Sequence, residues 1–328
     1  MRIDVQCHIF PEEYGDYLVK YAKSFKSQKK GEDIIYDNGA IMLAMDLRAF
    51  EPESLLAAMD NEGVDLSLIS CTIPDPGLLP AEYVVEGCNL ANNAIKEYTE
   101  KYPGRFRGIA CLPWNRPDEA LHCLDDIVQN RFCGVMLFSH NGGMHTDDFA
   151  LEPLYAKCSE LNLPVVLHPS VPLWSEHISV HGMVSSISFV MDTVFALLRM
   201  IYSGVFERNR GLKLLMPHMG GVLPFLDGRL GYFPESARRQ GIVGRGPEFI
   251  DFIRSGPNIW YDFANPSSRV ADYGLSYFSA DKILFGSDYP YIDRPFLIDI
   301  LDHINLSKED MEKINWKNAN KLFKLGLD

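Results

Sequence analysis

Three histidines and one aspartate lie at the ends of short apolar runs in this 328-residue sequence: His8, His168, His218 and Asp288. Apolar runs of this length are typical of buried strands, so these four polar side chains would lie at strand ends. Imidazole nitrogens and a carboxylate are a usual ligand set for Zn²⁺ or Mn²⁺. We therefore expect a metal centre wherever the fold brings these strand ends together.

The first of these runs contains one further candidate ligand, Gln6. Successive side chains of a strand point to opposite faces, so Gln6 and His8 share one face and Cys7 lies on the other. If the shared face is the interior of the fold, the pair can converge on a single ion.

Eight apolar runs recur along the chain and predict strands at Ile3–Ile9, Val64–Cys71, Phe106–Leu112, Gly134–Phe138, Pro164–His168, Lys213–Pro217, Asn258–Phe263 and Lys282–Gly286. Helical patterns lie between them, at Pro52–Asn61, Ala81–Tyr102, Pro117–Asn130, Leu151–Leu161, Met183–Phe206, Val222–Gln240, Arg269–Phe278 and Phe296–Asn305. Alternation of apolar strands with helices predicts a parallel sheet covered by helices. No Gly-x-Gly-x-x-Gly turn follows the first strand, so a (β/α)₈ barrel is favoured over a doubly wound sheet.

Two segments fall outside this repeat. Residues 10–51 are polar and predict an insertion after the first strand, with the character of a lid. Residues 307–326 begin with a helix N-cap at Ser307 and continue into C-terminal helices. No linker composition divides the chain, so we expect one domain over residues 1–328. Barrel enzymes place their chemistry at the C-terminal ends of the strands, where the four polar strand ends would meet.

The composition excludes several classes of protein. Hydrophobic residues make up 47% of the chain, which is enough for a sizeable core and excludes a disordered protein. The net charge of −13, without a dense basic run, argues against a nucleic-acid partner. The seven cysteines form no Cys-x-x-Cys pair, as expected of reduced thiols.

The N-terminal segment has the pattern of a strand and not of a signal peptide. The longest apolar stretch, Ile187–Phe206, contains Asp192 and Arg199, which argues against a membrane span. We therefore expect a cytoplasmic protein that binds no membrane.

Four motifs resemble those of the amidohydrolase superfamily, in the branch related to aminocarboxymuconate-semialdehyde decarboxylase and γ-resorcylate decarboxylase. They are Leu167-His168-Pro169, Ile201–Arg208, Leu212–Gly221 and Phe285–Pro290. The resemblance covers nearly the whole chain and implies a distorted (β/α)₈ barrel, in agreement with the strand count.

The resemblance also implies a role for each polar strand end. Gln6, His8, His168 and Asp288 would be the metal ligands, and His218 would stand beside the metal and transfer protons. Relatives carry His or Glu at the position of Gln6, and a neutral amide oxygen binds Zn²⁺ less well than imidazole does. The substitution therefore favours a harder ion such as Mn²⁺ or weakens metal binding.

The implied activity is metal-dependent, non-oxidative decarboxylation of an aromatic or unsaturated carboxylic acid. Asp288 or His218 would deliver a proton to the carbon that bears the carboxylate. Strand four ends at Phe138-Ser139-His140, without the carboxylated lysine that bridges two metals in binuclear relatives, so one ion is expected. A hydrolase or hydratase on the same scaffold is the main alternative, and a binding or structural protein that has lost its metal is a third.

Three further residues are candidates for substrate contacts. Arg48 has the planar guanidinium that pairs with a carboxylate, and a surface ion pair is its structural alternative. Trp174 and Phe263 would wall an apolar pocket, although core packing explains Phe263 equally well. The resemblance also implies a homodimer.

Overall fold

The computed structural model describes residues 1–22, 26–30, 33–37, 39–231 and 247–327. Its central sheet has eight parallel strands: β1 (Ile3–Ile9), β2 (Leu66–Cys71), β3 (Phe106–Cys111), β4 (Gly134–Phe138), β5 (Val165–His168), β6 (Leu214–Met216), β7 (Ile259–Asp262) and β8 (Ile283–Leu284). The strands neighbour one another in chain order. Beside β8, the Phe285 carbonyl accepts a hydrogen bond from the Val5 N–H over 3.0 Å, so the last strand returns to the first. The prediction of a distorted (β/α)₈ barrel is confirmed.

Alternate side chains of each strand pack into two apolar layers. In β5, Val166 belongs to the cluster inside the barrel, whereas Val165 and Leu167 belong to the cluster under the helices. Trp260 and Tyr261 of β7 divide in the same way. Because both faces of every strand are covered, the strands are almost continuously apolar.

Strand β1 breaks this alternation. Its pairing with β2 shifts register between Asp4 and Cys7, which marks a β-bulge. Val5 belongs to the inner cluster and Cys7 to the outer one, although residues two apart share a face in a regular strand. The bulge therefore turns Gln6 and His8 into the barrel.

Helices cover the barrel at Pro52–Glu62, Val84–Lys101, Pro117–Gln129, Glu152–Leu161, Phe189–Ser203, Leu223–Gly231, Pro247–Ser255, Ser268–Tyr277 and Arg294–His303. All but Pro247–Ser255 correspond to predicted helices. The C-terminal helices Lys308–Glu312 and Asn318–Phe323 follow. The hydroxyl of Ser307 caps the first of them by accepting the Asp310 N–H over 3.0 Å, as predicted.

One predicted helix is interrupted, and another is described only in part. In place of one helix over Met183–Phe206, a π-helical turn (Val184–Ser188) leads into Phe189–Ser203, and a short helix, Val205–Arg208, follows. The break falls at Gly204, whose φ of 85° is left-handed and ends the α-helix. The predicted helix Val222–Gln240 is present to Gly231, and its remainder lies outside the described residues.

One helical stretch, Val184–Ser203, is long and apolar enough to cross a membrane by length and composition alone. Within this stretch, 56% of the apolar 18-residue segment is buried inside the protein. Core helices of globular domains share this composition, because apolar neighbours surround them.

The insertion after β1 carries its own secondary structure. It contains the helix Glu12–Tyr21 and an antiparallel sheet of strands Lys26–Lys30, Asp33–Asp37 and Met42–Asp46. Leu43 of the last strand packs against the apolar cluster inside the barrel. The insertion therefore contacts the apolar cluster inside the barrel.

Candidate metal and active site

The ends of β1 and β5 and the loop after β8 bring three ligand-type side chains together. One nitrogen each of His8 and His168 and one oxygen of Asp288 all lie within 4.8 Å of one another. The two imidazole rings meet edge to face, with centroids 4.9 Å apart and planes inclined by 85°. His8 and His168 are buried, whereas the Asp288 side chain is 16% exposed.

The hydrogen bonds of the two histidines direct their other nitrogens to the centre of the cluster. Nδ1 of His168 donates to the Pro169 carbonyl over 2.8 Å, which leaves Nε2 with a lone pair. Nδ1 of His8 lies 3.1 Å from the Ser70 hydroxyl, and its Nε2 lies 2.9 Å from Oδ1 of Asp288. Burial and the neighbouring His8 lower the pKa of His168 to about 3, so His168 is neutral, the form that binds metals.

Asp288 stays ionised although it is enclosed. Burial opposes its ionisation, but the imidazoles of His218 and His8 outweigh burial and hold the pKa of Asp288 well below its usual range. Asp288 has a left-handed φ of 59°, which is uncommon for a residue other than glycine. Its carbonyl accepts the Tyr291 N–H over 2.8 Å.

Gln6 contacts this cluster and has an unsatisfied oxygen. Its Nε2 donates to Oδ1 of Asp288 over 3.2 Å, while its Oε1 is buried and has no hydrogen-bond partner among the described residues. A buried carbonyl oxygen without a donor costs free energy, and a cation would relieve that cost. The donor set therefore fits a divalent ion held by Gln6, His8, His168 and Asp288.

His218 lies beside this set and not within it. Its Nε2 is 3.8 Å from Oδ2 of Asp288, and its Nδ1 is buried without a partner among the described residues. Burial lowers the pKa of His218, but the Asp288 carboxylate outweighs burial and raises that pKa above its usual value. A hydrogen bond also holds the backbone at His218, because the Asp262 carboxylate accepts the His218 N–H over 2.8 Å.

A cavity of about 450 Å³ opens onto His168, His218 and Asp288. Its other walls come from residues of several loops and from the insertion: Leu43, Thr72, Ile73, Pro169, Ser185, Ser186, Phe189, Val190, Ala264, Asn265, Pro266, Tyr291 and Ile292. Apolar side chains dominate these walls, and the described lining residues include neither lysine nor arginine. Such a cavity suits a flat, apolar ring that carries a polar group directed at the ligand cluster.

The three predicted substrate contacts are not part of this cavity. Arg48 is 60% exposed and forms an ion pair with Asp46 at 2.8 Å. Trp174 lines a separate cavity of about 620 Å³, where its ring lies 6.4 Å from that of Phe195. Phe263 is fully buried in the cluster under the helices, because it points away from the barrel interior. Arg48 thus forms a surface ion pair and Phe263 packs in the core, which are the structural alternatives considered for these two residues.

Two buried acids close to the site were not predicted from the sequence. Asp262 ends β7 inside the barrel, and burial raises its pKa to about 7. Strand alternation, applied to the predicted strand Asn258–Phe263, would have indicated it. Asp4 of β1 is completely buried, and an acid within an otherwise apolar strand was its signal.

Comparisons with known proteins agree with this architecture. A family model described as amidohydrolase matches residues 3–325. The γ-resorcylate decarboxylase of Polaromonas sp. is 28% identical over 290 residues, which cover 81% of this chain and 85% of that protein.

The 2-amino-3-carboxymuconate-6-semialdehyde decarboxylase of Dictyostelium discoideum is 23% identical over 346 residues, covering 100% of this chain and 92% of that protein. Among solved structures, dihydroxybenzoic acid decarboxylase from Polaromonas sp., with bound manganese and the inhibitor 2-nitroresorcinol, superposes with a TM-score of 0.81. It is 23% identical and covers 100% of this chain and 98% of that one, so it supports the fold.

Proposed function

This chain belongs to the amidohydrolase family, and we propose that it is a metal-dependent, non-oxidative decarboxylase of an aromatic or unsaturated carboxylic acid. It is a carboxy-lyase of that superfamily, as the named decarboxylases among its relatives support. The observation that carries the proposal is the cluster of His8, His168 and Asp288 at the inner end of an apolar cavity.

Gln6 Oε1, His8, His168 and Asp288 would hold one divalent ion. When bound, the ion supplies Lewis-acid polarisation of a substrate carboxylate or a neighbouring oxygen. The neutral, hard oxygen of Gln6 favours Mn²⁺ over Zn²⁺. Phe138, the last residue of β4, precedes Ser139 and His140, so the lysine that would bridge a second ion is absent there.

The cavity walls determine what enters. Phe189 and Ile292 offer apolar surface for a ring or a conjugated chain, while Ser185, Ser186 and Asn265 offer hydrogen bonds to ring hydroxyls. Because the described lining residues include neither lysine nor arginine, the substrate carboxylate depends on the ligand cluster and His218 for charge neutralisation.

His218 and Asp288 supply the proton in this proposal. His218 Nε2 and Asp288 Oδ2 are 3.8 Å apart at the cavity, so both face a bound substrate. Because Asp288 is ionised and raises the pKa of His218, the carbon that bears the carboxylate accepts a proton from His218, directly or by way of the Asp288 carboxylate. The bond to the carboxyl carbon then breaks, its electron pair returns to the unsaturated system, and CO₂ leaves. Apolar walls exclude water and so favour this release over attack by water.

A screen for CO₂ release tests the proposal. Protein loaded with Mn²⁺ is incubated with hydroxybenzoates and muconate-type acids, and with amide and lactone substrates for the alternative hydrolase activity. We expect CO₂ from at least one acid and none after a chelator removes the ion. Turnover of the amides or lactones alone would instead support the hydrolase.

We also propose a cytoplasmic homodimer. Phe225 and Tyr273 form an apolar surface pair with ring centroids 5.0 Å apart, and they are 68% and 39% exposed. All seven cysteines are free thiols, as in a reducing compartment. Light scattering at micromolar concentration should give about twice the chain mass of 37.1 kDa, and a particle of one chain mass would contradict the dimer.

A further inference from the structure

A buried ion pair lies immediately behind the candidate ligands of β1. Nε of Arg294 is 3.0 Å from Oδ2 of Asp4, and neither side chain is exposed. The same guanidinium reaches Oε2 of Glu62 over 2.8 Å and lies over the ring of Tyr289. Burying charges costs free energy that pairing only partly returns, so fold stability alone is a poor reason for this pair.

The Asp4 carboxylate connects strand β1 with the loop after β8, and both of these segments carry candidate ligands. Its Oδ1 accepts the backbone N–H of Gln6 over 3.1 Å and that of Ser287 over 2.9 Å. Its Oδ2 accepts the Ser287 hydroxyl over 2.6 Å. One side chain therefore binds β1 at a candidate ligand and the loop after β8 one residue before Asp288.

On the β1 side, Asp4 supports the bulge. The register with β2 shifts between Asp4 and Cys7, and within that shift the Asp4 carboxylate accepts the Gln6 N–H. A strand without this bulge would present the opposite face from residue 6 onward. Gln6 and His8 would then point toward the helices, so the bulge is what directs both side chains at the ligand cluster.

On the β8 side, Asp4 supports a strained backbone. Asp288 has a φ of 59°, a conformation that persists in residues other than glycine only when the surroundings hold it. Ser287 is fixed by Asp4 and by Arg294, whose Nε donates to the Ser287 hydroxyl over 3.2 Å. Fixing Ser287 in this way fixes the direction in which the next residue leaves.

We propose that Asp4, together with Ser287 and Arg294, is the positioning group that holds the two halves of the metal site in register. The proposal rests on the proposed function, because it requires an ion at Gln6, His8, His168 and Asp288. Asp4 touches neither ion nor substrate and acts through the residues that do. Outer residues of this kind commonly determine how well a ligand set binds its metal.

Two variants and one matched control test this. Ser287→Ala removes the bridging hydroxyl and keeps the Asp4–Arg294 pair, while Asp4→Asn keeps the shape and removes the charge. Glu62→Gln is the control, because it weakens another bond of the same arginine at a side chain that contacts neither Gln6 nor Ser287. Mn²⁺ affinity is measured from the electron paramagnetic resonance signal of free Mn²⁺, and the visible spectrum of the Co²⁺-loaded protein reports ligand geometry.

Ser287→Ala and Asp4→Asn should weaken Mn²⁺ binding by about 10–100-fold and shift the Co²⁺ bands. Glu62→Gln should lower the melting temperature while its Mn²⁺ affinity and Co²⁺ spectrum match the wild type. Wild-type affinity in folded Ser287→Ala would overturn the proposal, and so would an equal loss of affinity in Glu62→Gln. If Asp4→Asn does not fold, Ser287→Ala decides. A wild-type protein that binds no ion would instead refute the proposed function.

Discussion

The amide nitrogen of Gln6 donates a hydrogen bond to Oδ1 of Asp288 over 3.2 Å, across 282 positions of the chain. The same oxygen lies 2.9 Å from Nε2 of His8, so one carboxylate oxygen contacts both candidate ligands of β1. The Gln6 oxygen is buried without a hydrogen-bond donor among the described residues. A cation bound to that oxygen would relieve the cost of burying it.

The first prediction concerns metal content. Protein purified without chelator should carry about one divalent ion per chain, because the donors of His8, His168 and Asp288 converge where a single ion fits. Elemental analysis of the purified protein measures this. Less than about a tenth of an ion per chain, without uptake of added Mn²⁺ or Zn²⁺, would exclude the metal site and favour a binding or structural protein.

The second prediction concerns the identity of residue 6. Gln6→His should tighten Zn²⁺ binding relative to Mn²⁺, because imidazole suits the softer ion better than an amide oxygen does. Competition between the two ions, followed by titration, measures the change in preference. An unchanged preference would show that residue 6 does not contact the ion.

The third prediction concerns the insertion. Leu43 lines the cavity, whereas its neighbour Met42 is 66% exposed. Leu43→Ala should raise KM by about 10-fold or more, since lost apolar contact with a ligand costs about 1–3 kcal/mol. Met42→Ala is the matched control and should leave KM unchanged. Steady-state kinetics with an acid that the protein decarboxylates measures both KM values. Equal KM values in the two variants would show that the insertion does not contact the substrate.

The barrel could be predicted because its strands are buried on both faces, which makes apolar runs such as Val165–Leu167 stand out from their neighbours. The break in the helix at Gly204 could not be predicted from the apolar pattern, because it depends on the left-handed backbone of one residue within an apolar stretch. The three strands of the insertion were not predicted individually, because each has only five residues and Lys26–Lys30 is polar throughout.

The convergence of His8, His168 and Asp288 could be predicted from the rule that barrel strands carry polar groups at their C-terminal ends. Alternation alone would place Asp4 on the face of Gln6 and His8, but the bulge separates them, and the sequence carries no clear signal of it. Loop conformation, which periodicity does not determine, explains why Trp174 lies in another cavity.

The fourth prediction concerns stability at alkaline pH. The amine of Lys282 lies 3.9 Å from the ring centroid of Trp260, and burial, with repulsion from Lys321, lowers its pKa to about 8. The unfolded chain keeps the ordinary value near 10.5, so between these two values it binds more protons than the folded chain. This lysine's contribution to the free energy of unfolding should therefore rise with pH across that window.

Replacing the lysine with a residue that does not titrate isolates the effect. The stability of Lys282→Met relative to wild type should be greatest below pH 8 and should decline as pH approaches 10.5. Urea unfolding of both proteins at several pH values measures the difference, in which all other titrating groups cancel. A difference independent of pH would show that Lys282 titrates alike in the folded and unfolded chains.

The last prediction separates His218 from the ligands. His218 lies 3.8 Å from Asp288 and outside the group of side chains that meet within 4.8 Å, so it should not be needed to hold the ion. His218→Asn should keep most of the bound metal but lose about 10²–10⁴-fold in kcat, the usual contribution of general acid–base catalysis. His168→Asn removes a ligand and should lower metal content and activity together. Metal stoichiometry and kcat are measured side by side for both variants. A His218→Asn protein without metal would make His218 a ligand, and full activity would leave it a structural histidine.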